Sequence, residues 1–150
     1  MKEKVLQVAA IQNGTVIDHI PSSRIFSVVS LLHLEKLTSE VTVGFNLRSK
    51  SMGRKSIIKI ANRFFTDDEL NQLAVVTPNV TLCIIRDYEI VEKKTVKLPE
   101  DLLGIVKCDN PKCITNNEPM RTRFHLVSPH ALCCHYCNTQ QALDEVKLCD

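Results

Sequence analysis

The sequence predicts an α+β protein in two parts, a sheet-and-helix domain followed by a small cysteine-rich β domain. Three observations support this: strand and helix patterns alternate over residues 1–97, residues 98–103 contain a Pro and two acids, and six of the seven Cys lie in the last 43 residues. A chain of 150 residues has room for one ordinary domain or two small ones. We therefore predict domains at 1–97 and 104–150, joined by a linker at 98–103.

The first domain has the element order β-α-β-β-α-β, with one additional hairpin strand possible. Strands are predicted from short apolar or alternating runs at 5–11, 15–20, 41–47, 56–61, 81–85 and 88–96. The period-two pattern of 41–47 predicts that its apolar residues, including Val43 and Phe45, face inward. A helix is predicted from Pro21 to about Leu34, and a capping box of Thr66 and Glu69 opens a second one. This order is the split βαβ arrangement of ferredoxin-like domains. Two helices then cover one face of the sheet, and the other face is open to a ligand.

Two pairs of Cys with short spacing mark the second domain. Cys108 and Cys113 form C-x4-C, and Cys134 and Cys137 form C-x2-C twenty residues later. This pattern is typical of a closed, structural zinc site with four thiolate ligands. Cys133 offers a rival C-x3-C spacing with Cys137, and His135 could replace a thiolate, but the two-residue spacing favours Cys134.

Composition excludes several classes of protein. A hydrophobic fraction of 44% and a charged fraction of 24% are those of a globular chain, and no apolar run approaches a membrane span. The N-terminal segment lacks the apolar region and cleavage site of a signal peptide, so we expect the cytoplasm. In that compartment clustered Cys bind metal more often than they form disulfides.

The charge is unevenly distributed along the chain. Residues 1–97 hold 14 Lys and Arg against 10 Asp and Glu, a balance of +4, whereas residues 98–150 hold 5 against 7, a balance of −2. A basic run in the first domain is either a solvated surface or a phosphate-binding one; it comprises Arg48, Lys50, Arg54, Lys55 and Lys59. A zinc-ribbon nucleic-acid-binding protein is the alternative hypothesis, although its zinc domain would be the acidic one.

A zinc enzyme is a further alternative. His33 and Glu35 formally match the H-x-E half of a zinc-deaminase motif, but the second half lacks its Pro before Cys134. A four-thiolate site also leaves no open coordination position for a substrate. We therefore expect no catalytic residues.

Several segments, taken in order, resemble the regulatory chain of aspartate carbamoyltransferase. They are GTVIDHIP at 14–21, MGRK at 52–55, IKI at 58–60 and the C-x4-C…C-x2-C end. The resemblance covers nearly the whole chain. It implies a noncatalytic subunit of an enzyme of pyrimidine biosynthesis, whose first domain binds CTP, ATP or UTP at one allosteric site. The zinc domain would contact the catalytic chain, and three regulatory homodimers would hold two catalytic trimers together.

The resemblance also implies roles for individual residues. Asp18 would bind ribose, His19 and Lys93 would face the triphosphate, and Lys59 would lie near ribose and base. The implied nucleotide site comprises Val8, Ala10, Ile11, Asp18, His19, Lys59, Ile85, Tyr88, Ile90 and Lys93. The implied ligands of one Zn²⁺ are Cys108, Cys113, Cys134 and Cys137, and the implied catalytic-chain contacts are Asn110, Lys112 and Asn138. Cys83 replaces the Asn of a better-known member near the base, which predicts altered base selectivity.

Overall fold

The computed structural model describes residues 10–149, which divide into two compact units at the boundary between Lys97 and Leu98. The first unit contains, in chain order, β1 (Gly14–Ile20), α1 (Ile25–Leu31), a 3₁₀ turn (Leu34–Lys36), β2 (Val41–Ser49), β3 (Gly53–Ala61), α2 (Asp67–Val76), β4 (Thr81–Arg86) and β5 (Glu89–Thr95). None of the helices in this described part of the chain is long and apolar enough to cross a membrane.

The five strands form one antiparallel sheet in the order β2-β3-β1-β4-β5. The predicted ferredoxin-like order is confirmed, and β5 is the additional strand, paired to β4. Gly14 begins the central strand at φ 144°, where a Cβ atom would lie 2.1 Å from the Ile60 carbonyl oxygen. Only glycine permits this close approach of β1 to β3.

The core of the first unit lies on one face of the sheet. Ile17, Ile58 and Leu82 face one another across three neighbouring strands in register, and all three are fully buried, as are Val28 of α1 and Leu73 of α2. The predicted capping box is present at the start of α2, with the Glu69 N–H donating to Thr66 Oγ1 and the Thr66 N–H to Glu69 Oε1. The helices therefore cover this face and leave the other for a ligand.

Three local predictions differ from the structure. The helix from Pro21 is shorter than predicted because His33 adopts left-handed backbone (φ 51°) and breaks it. In β2, Val43 and Phe45 face the helix side as predicted, but they are 45% and 48% exposed because β2 is an edge strand. Most of the strand predicted at 5–11 lies outside the described residues, and its last two residues, 10 and 11, are not in a strand.

The second unit is built from short strands. It contains β6 (Asp101–Leu103), β7 (Val106–Lys107), one helical turn, α3 (Ile114–Asn117), β8 (Arg123–Ser128), β9 (Ala131–Cys134), β10 (Gln140–Ala142), a 3₁₀ turn (Leu143–Glu145) and β11 (Lys147–Leu148). Four strands form a sheet in the order β10-β9-β8-β6, and β7 pairs with β11.

The second half of the predicted linker at 98–103 is a strand. Leu102 is fully buried and lies opposite Phe124 of β8, which is also fully buried. The apolar character of Leu102 therefore places residues 101–103 in the sheet, despite the Pro and acidic residues that made the segment resemble a linker.

Candidate functional site

A pocket of about 410 Å³ opens on the face of the first sheet opposite the helices. Its floor is apolar, with Ile11, Val16, Cys83 and Ile85 packed as one cluster against Ile57. The remaining walls are Ala10, Asp18, Lys59, Thr81, Tyr88, Ile90 and Lys93. Its volume lies within the range typical of small-molecule sites.

Strand register explains why charged side chains surround an apolar floor. Lys59 of β3 pairs with Val16 of β1, Val16 with Cys83 of β4, and Cys83 with Lys93 of β5. These four residues form one row on the same face, and the backbones of the two lysines are roughly 14 Å apart, three strand spacings. A ligand on Val16 and Cys83 would have an ammonium group on either side.

A polar network lies beside this row. Lys55 Nζ is 2.9 Å from Asp18 Oδ1, and the same oxygen accepts the His19 N–H at 2.6 Å. His19 Nδ1 lies 3.1 Å from Thr81 Oγ1, and Thr81 pairs with Asp18 across β1 and β4. His19 adopts left-handed backbone (φ 61°) that these contacts hold in place. The network fixes the direction of the Asp18 carboxylate at the pocket wall.

Burial changes the acidity of two side chains in the pocket. It lowers the pKa of the Lys59 ammonium, although the Asp18 carboxylate opposes this effect. It raises the pKa of the Cys83 thiol, against the opposing influence of Lys93. Cys83 is therefore a neutral thiol at physiological pH, a small and weakly polar group on the pocket floor.

The structure brings most of the predicted nucleotide-site residues to this one pocket. Eight of them line it: Ala10, Ile11, Asp18, Lys59, Ile85, Tyr88, Ile90 and Lys93. His19 is not a wall of the pocket but adjoins it through Thr81 and Asp18. Val8 lies outside the described residues. That these side chains bind a nucleotide stays a prediction.

Sequence reasoning did not assign Val16, Ile57, Thr81 or Lys55 to the site. Lys55 belongs to the basic run that the sequence indicated as a solvated or phosphate-binding surface. Its neighbour Ser56 pairs with Ile20, which brings Lys55 to Asp18. The alternation of side chains along β1 places Val16 and Asp18 on one face, a signal that could have identified Val16. Only the pairing of β1 with β3 and β4 identifies the other residues.

In the second unit, the four predicted zinc ligands converge. The Sγ atoms of Cys108, Cys113, Cys134 and Cys137 all lie within 4.8 Å of one another. Cys108 Sγ is 3.6 Å from Cys137 Sγ, and Cys113 Sγ is 3.7 Å from Cys134 Sγ. A tetrahedral ion with metal–sulfur bonds of about 2.3 Å requires sulfur–sulfur separations of about 3.8 Å. The donor set therefore fits a tetrahedral metal ion.

Polar groups around the cluster orient the thiols. Thr115 Oγ1 is 3.2 Å from Cys113 Sγ, and Thr139 Oγ1 is 3.1 Å from Cys137 Sγ. Burial raises the pKa of Cys108 and of Cys134. For Cys137 burial acts in the same direction, but hydrogen bonds from Thr139 and Asn110 outweigh it and lower its pKa to about 6. One thiolate is thus available near neutral pH, and a cation would stabilise the others as anions.

The structure also separates the rival ligands from the cluster. Cys133 is buried, and its Sγ donates to the Cys134 carbonyl at 3.7 Å. His135 is exposed and its ring packs edge-on against Tyr136. Adjacent residues of β9 point to opposite faces, which explains why Cys134 joins the cluster and Cys133 does not.

The predicted catalytic-chain contacts lie on the two Cys turns. Asn110 accepts the Lys112 N–H at its Oδ1 atom, at 3.0 Å, and the exposed Lys112 lies beside it. Asn138 is exposed, has left-handed backbone (φ 60°) and donates its N–H to the Cys134 carbonyl. Each of the three lies within two residues of a clustered cysteine, so the geometry of the cluster sets their positions. Their role in an interface stays a prediction.

Comparison with known proteins identifies the family. Residues 6–97 match the allosteric domain of the aspartate carbamoyltransferase regulatory chain, and residues 100–147 match its metal-binding domain. The chain is 57% identical to the aspartate carbamoyltransferase regulatory chain of Bacteroides fragilis, with 97% of each chain covered. The same chain of Phocaeicola vulgatus is 59% identical (97% and 96% covered), and that of Pyrococcus abyssi 45% (94% and 95% covered). The chain belongs to the aspartate carbamoyltransferase regulatory chain family, and is a noncatalytic subunit with an allosteric and a metal-binding domain.

Proposed function

We propose that the pocket on the open sheet face is the allosteric site and that it binds CTP, ATP and UTP. The observation that supports this is the row from Lys59 through Val16 and Cys83 to Lys93. A nucleotide has a base with apolar faces, a sugar with hydroxyl groups and a chain of anionic phosphates. This pocket offers an apolar floor, a carboxylate at Asp18 and ammonium groups at its sides.

Each group of the pocket then has a chemical role. The Asp18 carboxylate, held by Lys55, accepts hydrogen bonds from ribose hydroxyls. Lys93 and His19 face the triphosphate, and Lys59 lies between ribose and base. The base packs among Ile11, Ile85 and the other aliphatic side chains, where Tyr88 contributes its backbone. Because the Cys83 thiol is weakly polar, base selectivity depends mainly on backbone groups.

For the second unit we propose one Zn²⁺ held by Cys108, Cys113, Cys134 and Cys137. Zinc binds four thiolates in tetrahedral geometry and is not redox-active. Four reduced thiols also suit the cytoplasm, where disulfides are rare. The ion supplies folding free energy to a unit whose strands are only two to six residues long.

The chain requires partners to regulate an enzyme. We propose that the zinc unit contacts the catalytic chain through Asn110, Lys112 and Asn138, and that two regulatory chains form a homodimer. An exposed aromatic pair supports the homodimer: Phe26 and Phe45, 72% and 48% exposed, have ring centroids 5.5 Å apart next to the unpaired edge of β2. Effectors act by binding the low- and high-activity quaternary states unequally, with coupling of about 1–3 kcal/mol.

The test of the nucleotide site is a Lys59→Ala, Lys93→Ala double variant, assayed by calorimetric CTP titration of the intact regulatory chain. Each charge-assisted contact contributes about 1.5–3 kcal/mol, so affinity should fall roughly 100-fold or more. Lys94→Ala is the matched control, since Lys94 is next to Lys93 on β5 and pairs with Leu82 on the helix-covered face. Wild-type CTP affinity in the double variant would refute the site. Salt-sensitive RNA binding by the wild-type chain would instead support a nucleic-acid-binding protein.

A further inference from the structure

Two lysines face each other across the small sheet of the second unit. Lys107 of β7 and Lys147 of β11 are directly opposite in the antiparallel register, which brings their Cβ atoms to about 5 Å. Both side chains are exposed, and both line a cavity of about 450 Å³ beside the metal-ligand residue Cys108. Like charges directly opposite each other destabilise a sheet. The lysine pair therefore lowers the free energy of unfolding of the isolated chain.

The backbone that carries Lys107 is held firmly. The buried Gln141 amide donates to the Lys107 carbonyl at 3.2 Å and accepts the Asp109 N–H at 3.0 Å. The Asn116 amide, which also lines the cavity, donates to the carbonyls of Cys108 and Asn110, at 2.9 and 2.8 Å. These two amides join the cavity rigidly to the Cys turn that carries Asn110.

No acid within residues 10–149 neutralises the lysine pair. Neither Lys107 nor Lys147 forms an ion pair with a described residue, although Asp109 lines the same cavity. The exposed charged groups of the cavity are two lysines and one aspartate, in a unit whose residues carry −2, whereas Cys108, which also lines it, is buried in the thiol cluster. The exposed side of the cavity is therefore locally positive on an acidic unit. One or two carboxylates would match it, whereas a nucleic-acid backbone would be repelled by its surroundings.

We propose that Lys107 and Lys147 form a cationic site for a carboxylate-bearing surface of the catalytic chain, extending the interface proposed at Asn110 and Lys112. This inference rests on the proposed function, because it assumes assembly with that chain. A partner carboxylate between the two ammonium groups removes their repulsion and gains two charge-assisted contacts. The lysine pair thus lowers the stability of the free chain and strengthens the complex.

The decisive variant is Lys147→Glu, because it should change stability and assembly in opposite directions. It converts the like-charge pair into a cross-strand ion pair, so the thermal midpoint of the isolated zinc-loaded chain should rise. Affinity for the catalytic chain, titrated by analytical ultracentrifugation, should fall at least tenfold at low ionic strength. This difference should shrink as salt is added, since screening weakens exposed charge pairs. Lys147→Gln should show a smaller loss in the same direction.

Lys94→Glu is the matched control. Lys94 is exposed and lies on β5 in the other unit, so the substitution makes the same change of charge away from both proposed interfaces. It should leave assembly unchanged. Wild-type affinity and salt dependence in Lys147→Glu would overturn the inference, as would a loss of assembly that follows a loss of zinc. If the wild-type chain itself does not bind the catalytic chain, the proposed function fails instead.

Discussion

The two units of the chain enclose their interiors by different means. In the first, two helices and one sheet face bury large aliphatic side chains such as Ile17, Ile58 and Leu73. In the second, strands of two to six residues surround a few buried apolar groups, including Phe124 and Leu132, and four thiols converge beside them. The difference indicates that hydrophobic burial stabilises the first unit, whereas the second depends on a metal ion.

The largest expected effect follows from metal removal. A mercurial that modifies the thiols should release about one Zn²⁺ per chain, unfold the second unit and abolish assembly, since structural zinc supplies about 10–16 kcal/mol of apparent binding free energy. Zinc release is measured with a colorimetric chelator and unfolding by circular dichroism. In a Cys83→Ser variant, which removes the pocket thiol from reaction with the mercurial, the first unit should still bind CTP. Assembly that persists after complete zinc loss would show that the second unit does not depend on a metal ion.

The Cys133→Ser variant controls for modification outside the cluster. Cys133 is buried but its sulfur is not part of the four-thiol group. It should retain about one Zn²⁺ per chain, whereas Cys113→Ser should lose it. Equal zinc content in the two variants would argue against the assigned ligands.

A core substitution should produce the second largest effect, confined to the first unit. Ile17→Ala removes a fully buried side chain from the central strand and should lower the free energy of unfolding by about 2–5 kcal/mol. Urea denaturation measures this loss. Zinc content should stay at the wild-type value, because the metal stabilises the other unit. Loss of zinc in this variant would show that the units do not fold independently.

The third expected effect is a pH dependence of nucleotide binding. Burial lowers the pKa of Lys59, so its ammonium loses the proton at a lower pH than an ordinary lysine. CTP affinity should therefore fall as pH rises through that pKa, by up to the roughly 1.5–3 kcal/mol of one charge-assisted contact. Calorimetric titrations between about pH 7 and 10 measure the decline. In Lys59→Arg, which stays protonated, the decline should begin at higher pH; identical profiles would exclude Lys59 from the contact.

The smallest expected effect concerns the choice of base. Cys83→Asn replaces a weakly polar thiol on the pocket floor with an amide that donates and accepts hydrogen bonds. The ratio of CTP to ATP affinity should change by about tenfold or less, since one neutral hydrogen bond contributes about 1 kcal/mol. Competition titrations of both nucleotides measure the ratio. An unchanged ratio would show that Cys83 does not contact the base.

Sequence patterns predicted some features of both units correctly and left others undecided. The capping box at Thr66 and the Cys spacings are short-range signals, because each depends on residues a few positions apart. The order of the strands was also predictable from the alternation of elements. Val43 and Phe45 lie on the predicted inner face, opposite Ile58 and against Phe26 respectively, yet both are exposed. Period two shows which residues share a face but not whether another strand or helix covers it.

The sequence by itself determined the element order of the first unit, the four thiols that cluster and the family, because these depend on local spacing and on a long specific match. The tertiary structure decided which distant residues meet. The row from Lys59 to Lys93, the Lys55 contact with Asp18, and the opposition of Lys107 and Lys147 all arise from strand register. Register is set by long-range pairing between strands that are far apart in the chain, so spacing along one strand does not predict it.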